Sequence, residues 1–208
     1  MEGTLKTQCR WERLVNLTEM FGEGWCVTLA PGAAAEVLEH MGVTVVVEVP
    51  DGLERATERL VRGGGAGVLL LGHEVAAGWT MVVELEGTTG WVGMDSFVLA
   101  ALSGGGRIAV SACEDPNQLT VYVAGDGTVL GWLDAVTGRR FGEDFGPAGQ
   151  ALTAAGFPEA GADEPSGEAA ALGPSERAVL ALREMTGVQL EEGLFEEPWI
   201  GGISTLGA

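Results

Sequence analysis

The sequence is poor in histidine, the side chain that most often transfers protons near neutral pH. Its 208 residues include only two histidines, His40 and His73. A Ser-His-Asp or Cys-His centre needs a histidine to move protons near neutral pH. No Gly-x-Ser-x-Gly motif occurs either. Catalysis through a histidine is therefore not expected.

Cysteine is equally scarce. Cys9, Cys26 and Cys113 are odd in number, lie far apart and lack the spacing of a zinc site. The glycine-rich stretches at 63–67 and 104–106 lead into predicted strands, whereas a phosphate-binding loop leads into a helix. The sequence thus predicts no metal and no cofactor, and it indicates reduced thiols in a cytosol.

Long apolar runs are also missing. No run reaches the roughly 18 uncharged residues that cross a bilayer, and the first residues lack the layout of a secretory signal. We therefore expect a cytoplasmic protein with no membrane partner. Lysine occurs once, at Lys6, while alanine and glycine are abundant. That bias is typical of a GC-rich bacterial genome.

Acidic residues, in contrast, are plentiful. Aspartate and glutamate total 30 against 11 lysines and arginines, which gives a net charge of −19. A field of this sign repels nucleic acid and anionic membranes. The charge favours a basic protein partner, or it serves only solubility.

The regular segments of the sequence indicate an α+β fold. Alternating or β-branched apolar runs predict strands at 25–30, 43–49, 68–71, 78–87, 107–113, 118–124 and 128–135. Short turns such as Asp126-Gly127 join the later runs, so those strands must be antiparallel. We expect an antiparallel sheet of about five to seven strands, with helices packed mainly on one face.

Helical periodicity and stop signals predict helices at 4–21, 33–41, 53–61, 96–102, 147–155 and 174–185. Residues 158–173 are rich in Pro, Gly, Ala, Asp, Glu and Ser, which is typical of a flexible linker. The predicted organisation is a core domain over 1–157, a linker over 158–173, and a C-terminal helical segment over 174–208 that docks on the core.

Three carboxylates form the sharpest candidate for a catalytic site. Glu84 and Glu86 share one face of a predicted strand, about 7 Å apart by strand rise. Asp95 follows shortly and is also a plausible N-cap for the helix at 96–102. Paired carboxylates can divide acid and base roles when their environments separate their pKa values. The alternative is a solvated strand end before the turn at Gly87.

Trp91 is the candidate for binding a ligand or partner. Gly90 and Gly93 flank it in a predicted loop. An aromatic ring held between glycines can stack on a ligand or anchor a protein partner. The alternative is that the ring folds down onto the domain.

Several short motifs together resemble an uncharacterised actinobacterial family of about this length. They are Gly78-Trp79, Glu84, Gly87, Gly90-Trp91-Val92-Gly93, Leu102-Ser103-Gly104 and Asp126-Gly127. The resemblance implies a family of unknown function and supplies no activity, cofactor or catalytic residue.

The first functional hypothesis is a non-catalytic, acidic binding or regulatory protein that acts through protein contacts, in an immunity-like or complex-partner role. The sequence favours a protein that is not an enzyme and leaves that question open. The alternative is a carboxylate-dependent hydrolase that uses Glu84, Glu86 and Asp95. A nucleic-acid mimic, with carboxylates spaced like phosphates, is the third hypothesis. The sequence identifies neither the partner nor the oligomeric state.

Overall fold

The protein is built around one antiparallel sheet. The computed structural model describes residues 14–22, 24–53, 67–76, 78–85, 91–142, 144–159 and 168–206. Within them, nine strands lie in the order β2-β9-β3-β4-β1-β5-β6-β7-β8. The strands are β1 (Trp25–Pro31), β2 (Val47–Val49), β3 (Val68–Ala76), β4 (Trp79–Leu85), β5 (Ile108–Asp115), β6 (Gln118–Gly125), β7 (Thr128–Asp134), β8 (Arg140–Phe141) and β9 (Trp199–Ser204).

The expected sheet of five to seven strands is therefore too small. Each of the seven predicted runs overlaps a strand, and two further strands, β8 and β9, carry no clear strand pattern. β8 has only two residues. β9 contains Gly201-Gly202, and glycine is depleted in strands because it has no side chain to pack. The glycines are needed there, because a Cβ on Gly201 would lie 2.5 Å from the carbonyl oxygen of Leu70.

Helices cover both faces of the sheet, so the expectation of helices mainly on one face is wrong. In the described residues the helices are α1 (Leu17–Phe21), α2 (Ala34–His40), α3 (Ser96–Leu102), α4 (Pro147–Ala154) and α5 (Pro174–Thr186). Helices α4 and α5 pack on the face that contains Trp25, Val27 and Leu29. Helices α2 and α3 pack on the opposite face, which contains Ala30 and Val82. We call these the α4/α5 face and the α2/α3 face.

The central strand β1 explains the three-layer arrangement. Six of its seven residues are buried, so both of its faces contact core. Thr80 and Glu84, polar residues on the α2/α3 face, are buried with hydrogen-bond partners. Thr80, for example, donates a hydrogen bond to the carbonyl oxygen of Gly32 at 2.8 Å. Buried polar groups are normally paired in this way.

The C-terminal part of the chain supplies both a helix and a strand. Helix α5 packs on the α4/α5 face, and β9 pairs with β2 on one side and β3 on the other. A 3-10 turn at Glu168–Ala171 lies within the predicted linker, whose residues 160–167 fall outside the described residues. The division into core, linker and docked segment stays a prediction. No helix in the described ranges is long and apolar enough to cross a membrane.

Candidate functional site around Glu84

Glu84 lies in the middle of the sheet. On β4 it faces Cys26 of β1 on one side and Leu70 of β3 on the other. Its side chain is fully buried on the α2/α3 face. A charged side chain is almost never buried without partners, so its surroundings need a physical account.

The partners of Glu84 are two consecutive backbone amides. Oε2 accepts a hydrogen bond from the amide of Val92 at 2.7 Å, and Oε1 accepts one from the amide of Gly93, also at 2.7 Å. These amides begin the 3-10 turn Val92–Met94. Free amides at the start of a helical turn carry partial positive charge, which suits a carboxylate. Glu84 therefore ties this turn to the sheet.

Burial has the largest effect on the pKa of Glu84. Desolvation raises the pKa of its carboxyl from the ordinary value of 4.5 to about 7, although the hydrogen bonds from Gly93 and Val92 favour the ionised form and lower it. The carboxyl consequently exchanges its proton near neutral pH, unlike an ordinary surface glutamate.

Two cysteines lie beside Glu84. Cys26 on β1 is directly opposite Cys113 on β5, and the two are joined as a disulfide with Cα atoms 4.0 Å apart. Both side chains are buried. This pairing differs from the expectation of reduced, separate thiols. The two residues are 87 positions apart, so only the pairing of β1 with β5 brings them together. Cys9 falls outside the described residues.

Two hydroxyls complete what we call the buried polar cluster: Glu84, Cys26, Cys113, Ser111 and Thr28. The Ser111 hydroxyl lies 3.2 Å from the Cys26 sulfur and 3.4 Å from the Cys113 sulfur. Thr28 donates to the Ser111 oxygen at 3.1 Å. Sequence reasoning missed these four neighbours of Glu84. Each sits in a predicted strand, but their common face becomes visible only once the strand order is known.

Residues 91–94, which we call the cover, close the cluster. Trp91 is 7% exposed and packs with Met94 against Cys26 and Cys113. The backbone of Gly93 lies directly on the cluster. A Cβ at that position would be 2.8 Å from Ser111 Oγ and 2.9 Å from Cys26 Sγ. Trp91 thus lies folded onto the domain, and Gly93 provides the space that this close approach requires.

The other predicted site residues are not gathered here. Asp95 follows the cover, is exposed, and caps α3 by accepting hydrogen bonds from the amides of Phe97 at 2.8 Å and Val98 at 3.1 Å. Its predicted capping role is confirmed. Glu86 and Gly90 fall outside the described residues. The carboxylates of Glu84 and Asp95 therefore hold separate backbone segments.

The histidines contact backbone carbonyls. His40 Nδ1 lies 2.8 Å from the carbonyl oxygen of Glu36, one turn earlier in α2, and His73 Nδ1 lies 2.9 Å from that of Pro198. Both contacts require the ring nitrogen to donate. In the part of the chain that the structure describes, no group of three or more His, Cys, Asp or Glu residues could hold a metal ion.

A second notable surface lies at the β2 end of the sheet. Among the described strands, β2 pairs only with β9. The apolar side chains of Val45, Val46 and Val47 are 70%, 39% and 38% exposed there. We call residues 45–48 the β2 edge; Val47 and Glu48 belong to β2, and Val45 and Val46 precede it. Exposed apolar residues on an edge strand can pair with another chain, and proteins usually protect such edges.

Acidic residues lie on and beside the β2 edge. Gly52 lies close to Phe195 and Glu196, which brings segment 191–197 beside the segment that contains β2. The stretches 41–53 and 187–206 contain no lysine, arginine or histidine. Their acids are Glu48, Asp51, Glu191, Glu192, Glu196 and Glu197. The region therefore combines an apolar strand edge with negative charge.

Comparison with known proteins gives one match. No curated protein and no solved structure matches the chain. A family model described as a family of unknown function (DUF6461) matches residues 7–199. That span includes the buried polar cluster, the cover and the β2 edge. The chain belongs to this family of unknown function.

Proposed function

We propose that this protein is a non-catalytic binding or regulatory protein whose β2 edge binds an extended, basic segment of another protein. The observation that carries the proposal is the exposed row Val45, Val46 and Val47 at the end of the sheet. An extended segment that adds a strand to a sheet edge gains main-chain hydrogen bonds and places alternate side chains on the edge.

Charge supports a basic partner. Glu48 is exposed on β2 itself, and Glu196 and Glu197 are exposed on the neighbouring segment. With a net charge of −19, the chain attracts a positive surface from a distance and repels nucleic acid. An apolar strand edge beside carboxylates fits a segment in which apolar residues alternate with lysine or arginine.

The proposed setting is the cytoplasm of an actinobacterium, where the protein acts in an immunity-like or complex-partner role. Support comes from composition, because lysine is nearly absent while arginine, alanine and glycine are common. The short motifs around Trp91 resemble an actinobacterial family. The oligomeric state is part of the test below.

The hydrolase hypothesis keeps one supporting observation. A carboxyl that titrates near neutral pH, as Glu84 does, suits general acid catalysis. A substrate would have to displace the cover to reach it, because Glu84 is fully buried. Loss of a hydrolytic activity in Glu84→Gln would support this reading. The third hypothesis, a nucleic-acid mimic, predicts a different partner. That partner would be a nucleic-acid-binding protein, and DNA or RNA would displace it from this chain.

Site-specific crosslinking tests the proposed surface. A photoreactive phenylalanine derivative replaces Val46 at the β2 edge or, as the control, Val136, which is 61% exposed in the loop between β7 and β8 at the other end of the sheet. The baits are irradiated in lysate of the source organism, and crosslinked peptides are sequenced by mass spectrometry. We expect Val46 to capture a segment rich in lysine and arginine, and Val136 to capture none.

Ionic strength and a charge variant provide two further tests of the proposed surface. Capture at position 46 should fall steeply as ionic strength rises from about 0.05 to 0.5 M, because screening weakens exposed charges. Val46→Glu should lower capture of the same protein in an ordinary pull-down, while Val136→Glu should not. Equal capture at both positions, a captured segment without basic residues, or a crosslink to a second acidic copy of this chain would each overturn the proposal.

A further inference from the structure

The pairing of Cys26 with Cys113 has features of a reversible thiol–disulfide site. The two residues oppose each other on neighbouring central strands, and five consecutive residue pairs, from Trp25 with Glu114 to Leu29 with Val110, fix β1 against β5. The sulfurs therefore stay adjacent whether or not they are bonded. An encounter between two thiols held in this way is intramolecular, which favours disulfide formation over reaction with separate molecules.

The surroundings of the sulfurs favour exchange chemistry. The Ser111 hydroxyl lies 3.2 Å from one sulfur and 3.4 Å from the other, so it can donate a hydrogen bond to a thiolate. Exchange proceeds through the thiolate. Thr28 donates to the Ser111 oxygen, which leaves the serine proton free to point at a sulfur.

Access to the sulfurs runs through the cover. Trp91 and Met94 pack on the cysteines, and the amides of Val92 and Gly93 bind Glu84. The cover itself is one short 3-10 turn, and its Trp91 and Val92 side chains are buried. A single short turn opens at a lower free-energy cost than the central strands beneath it.

We propose that Cys26 and Cys113 are a thiol–disulfide exchange site whose substrates are external dithiols and disulfides, and that these reach the sulfurs when the cover lifts from the sheet. In a reducing cytosol such a pair rests as two thiols and oxidises transiently, as is usual for cytosolic disulfides. This inference is independent of the proposed protein binding at the β2 edge.

The exchange balances in two steps. A thiolate of the external dithiol attacks one protein sulfur, forms a mixed disulfide and releases the other cysteine as a thiolate, which takes up a proton. The second thiol of the reagent then attacks the mixed disulfide and displaces the remaining cysteine. The oxidised reagent leaves as a cyclic disulfide. Two electrons and two protons pass from the dithiol to the protein. An external disulfide oxidises the two cysteines by the same steps in reverse and accepts both electrons.

The first test is a redox titration of the folded protein. Cys9→Ser provides the background, so that Cys26 and Cys113 are the remaining cysteines. The protein is equilibrated with graded ratios of reduced and oxidised dithiothreitol, quenched with acid, blocked with a maleimide and weighed intact. We expect species with either no free thiol or two, interconverting with one midpoint. Two free thiols at every ratio, or none even in excess reductant, would overturn the proposal.

The second test asks whether the cover controls access. Gly93→Ala places a methyl group against the buried polar cluster and should speed reduction of the disulfide about tenfold. Gly24→Ala is the matched control, because a Cβ there meets nothing within 4 Å. Arg140→Ala disturbs hydrogen bonds to helix α4 on the other face, and it controls for general loss of stability. Equal rates in both glycine variants, or equal acceleration by Arg140→Ala, would overturn the role of the cover.

Discussion

The carboxylate of Glu84 and the backbone amide of Gly93 lie 2.7 Å apart, with both groups buried. This contact joins a central strand to the cover, and the adjacent bond to Val92 makes it bidentate. A carboxylate that binds two amides fixes the position of both. The Glu84–Gly93 pair therefore places Trp91 over the cysteines, and its strength depends on the protonation of Glu84.

The first prediction concerns pH. The pKa of Glu84 rises from 4.5 to about 7 on folding, chiefly through desolvation. Between these values the unfolded chain has lost the proton and the folded protein retains it, so the free energy of unfolding falls as pH rises. The contribution of Glu84 should be complete below about pH 4.5 and lost by about pH 7, on the order of 3 kcal/mol in all.

Urea denaturation of the wild type and Glu84→Gln between pH 4.5 and 8 isolates this contribution. Glutamine does not titrate, so the stability advantage of the wild type over Glu84→Gln should shrink as pH rises to 7 and stay constant above it. Glu48→Gln, at an exposed position, should follow the wild-type profile. A difference between wild type and Glu84→Gln that does not change with pH would contradict the prediction.

The second prediction concerns space under the cover. Gly93→Ala should lower the free energy of unfolding by about 1–3 kcal/mol, because a new Cβ would lie 2.8 Å from Ser111 Oγ in a packed core. Gly24→Ala has open space at its Cβ and should change stability by less than about 0.5 kcal/mol. Chemical denaturation of both variants at one pH checks the comparison. Similar losses in the two variants would argue against tight packing at Gly93.

Local sequence patterns predicted the helices and strands of this fold better than the way in which they assemble. Helix α3 has the predicted bounds, because Asp95 gives a clear N-cap signal before an apolar run. Strand β9 was missed because two glycines interrupt its pattern. The glycines are required by contacts with residues far away in the sequence, since a Cβ on Gly202 would lie 2.6 Å from Val43 Cγ1 on the segment leading to β2. A contact of that kind leaves no trace in nearby sequence.

The sequence named residues of the candidate site but not their surroundings, and the function of the site stays a prediction. Glu84, Trp91 and Gly93 lie together in the structure. Alternation with apolar residues placed Glu84 on the polar face of its strand, with a solvated strand end as the alternative to a catalytic pair, yet helices α2 and α3 cover that face. Burial of Glu84 and the approach of Cys26 and Cys113 follow from strand order, which hydrophobic periodicity does not specify.

The third prediction compares two adjacent arginines. Arg140 Nη2 donates to Thr153 Oγ1 at 2.9 Å, to the carbonyl oxygen of Gly149 at 3.3 Å, and to that of Phe157. Arg140→Ala should cost about 2–3 kcal/mol, since bonds from a charged donor are strong and partly buried acceptors lose their partner. Arg139 is exposed, with its guanidinium carbon 5.3 Å from the Phe141 ring centre, so Arg139→Ala should cost under about 1 kcal/mol.

Thermal unfolding of both arginine variants by circular dichroism provides the measurement. Arg140→Lys is a useful third variant, because lysine keeps the charge and loses the planar fork that reaches several acceptors. It should fall between Arg140→Ala and the wild type. If Arg139→Ala and Arg140→Ala lower the melting temperature equally, the anchoring of α4 through Arg140 is wrong.

The fourth prediction concerns the link between helix α1, strand β5 and helix α5. Glu114 Oε2 accepts hydrogen bonds from the Trp25 indole at 2.8 Å and from the Thr18 hydroxyl, and Thr18 lies 2.8 Å from Ser175 Oγ at the start of α5. Glu114→Ala leaves the indole N–H of the buried Trp25 without this acceptor and should cost about 1–3 kcal/mol.

Glu114→Gln separates hydrogen bonding from charge at this link. The glutamine oxygen can still accept from the Trp25 indole, so Glu114→Gln should lose less stability than Glu114→Ala. Hydrogen exchange should also show faster exchange in α1 and in the first turn of α5 for Glu114→Ala, because Thr18 loses its acceptor. Equal losses in the two variants would mean that the charge of Glu114, and not its acceptor role, holds these elements together.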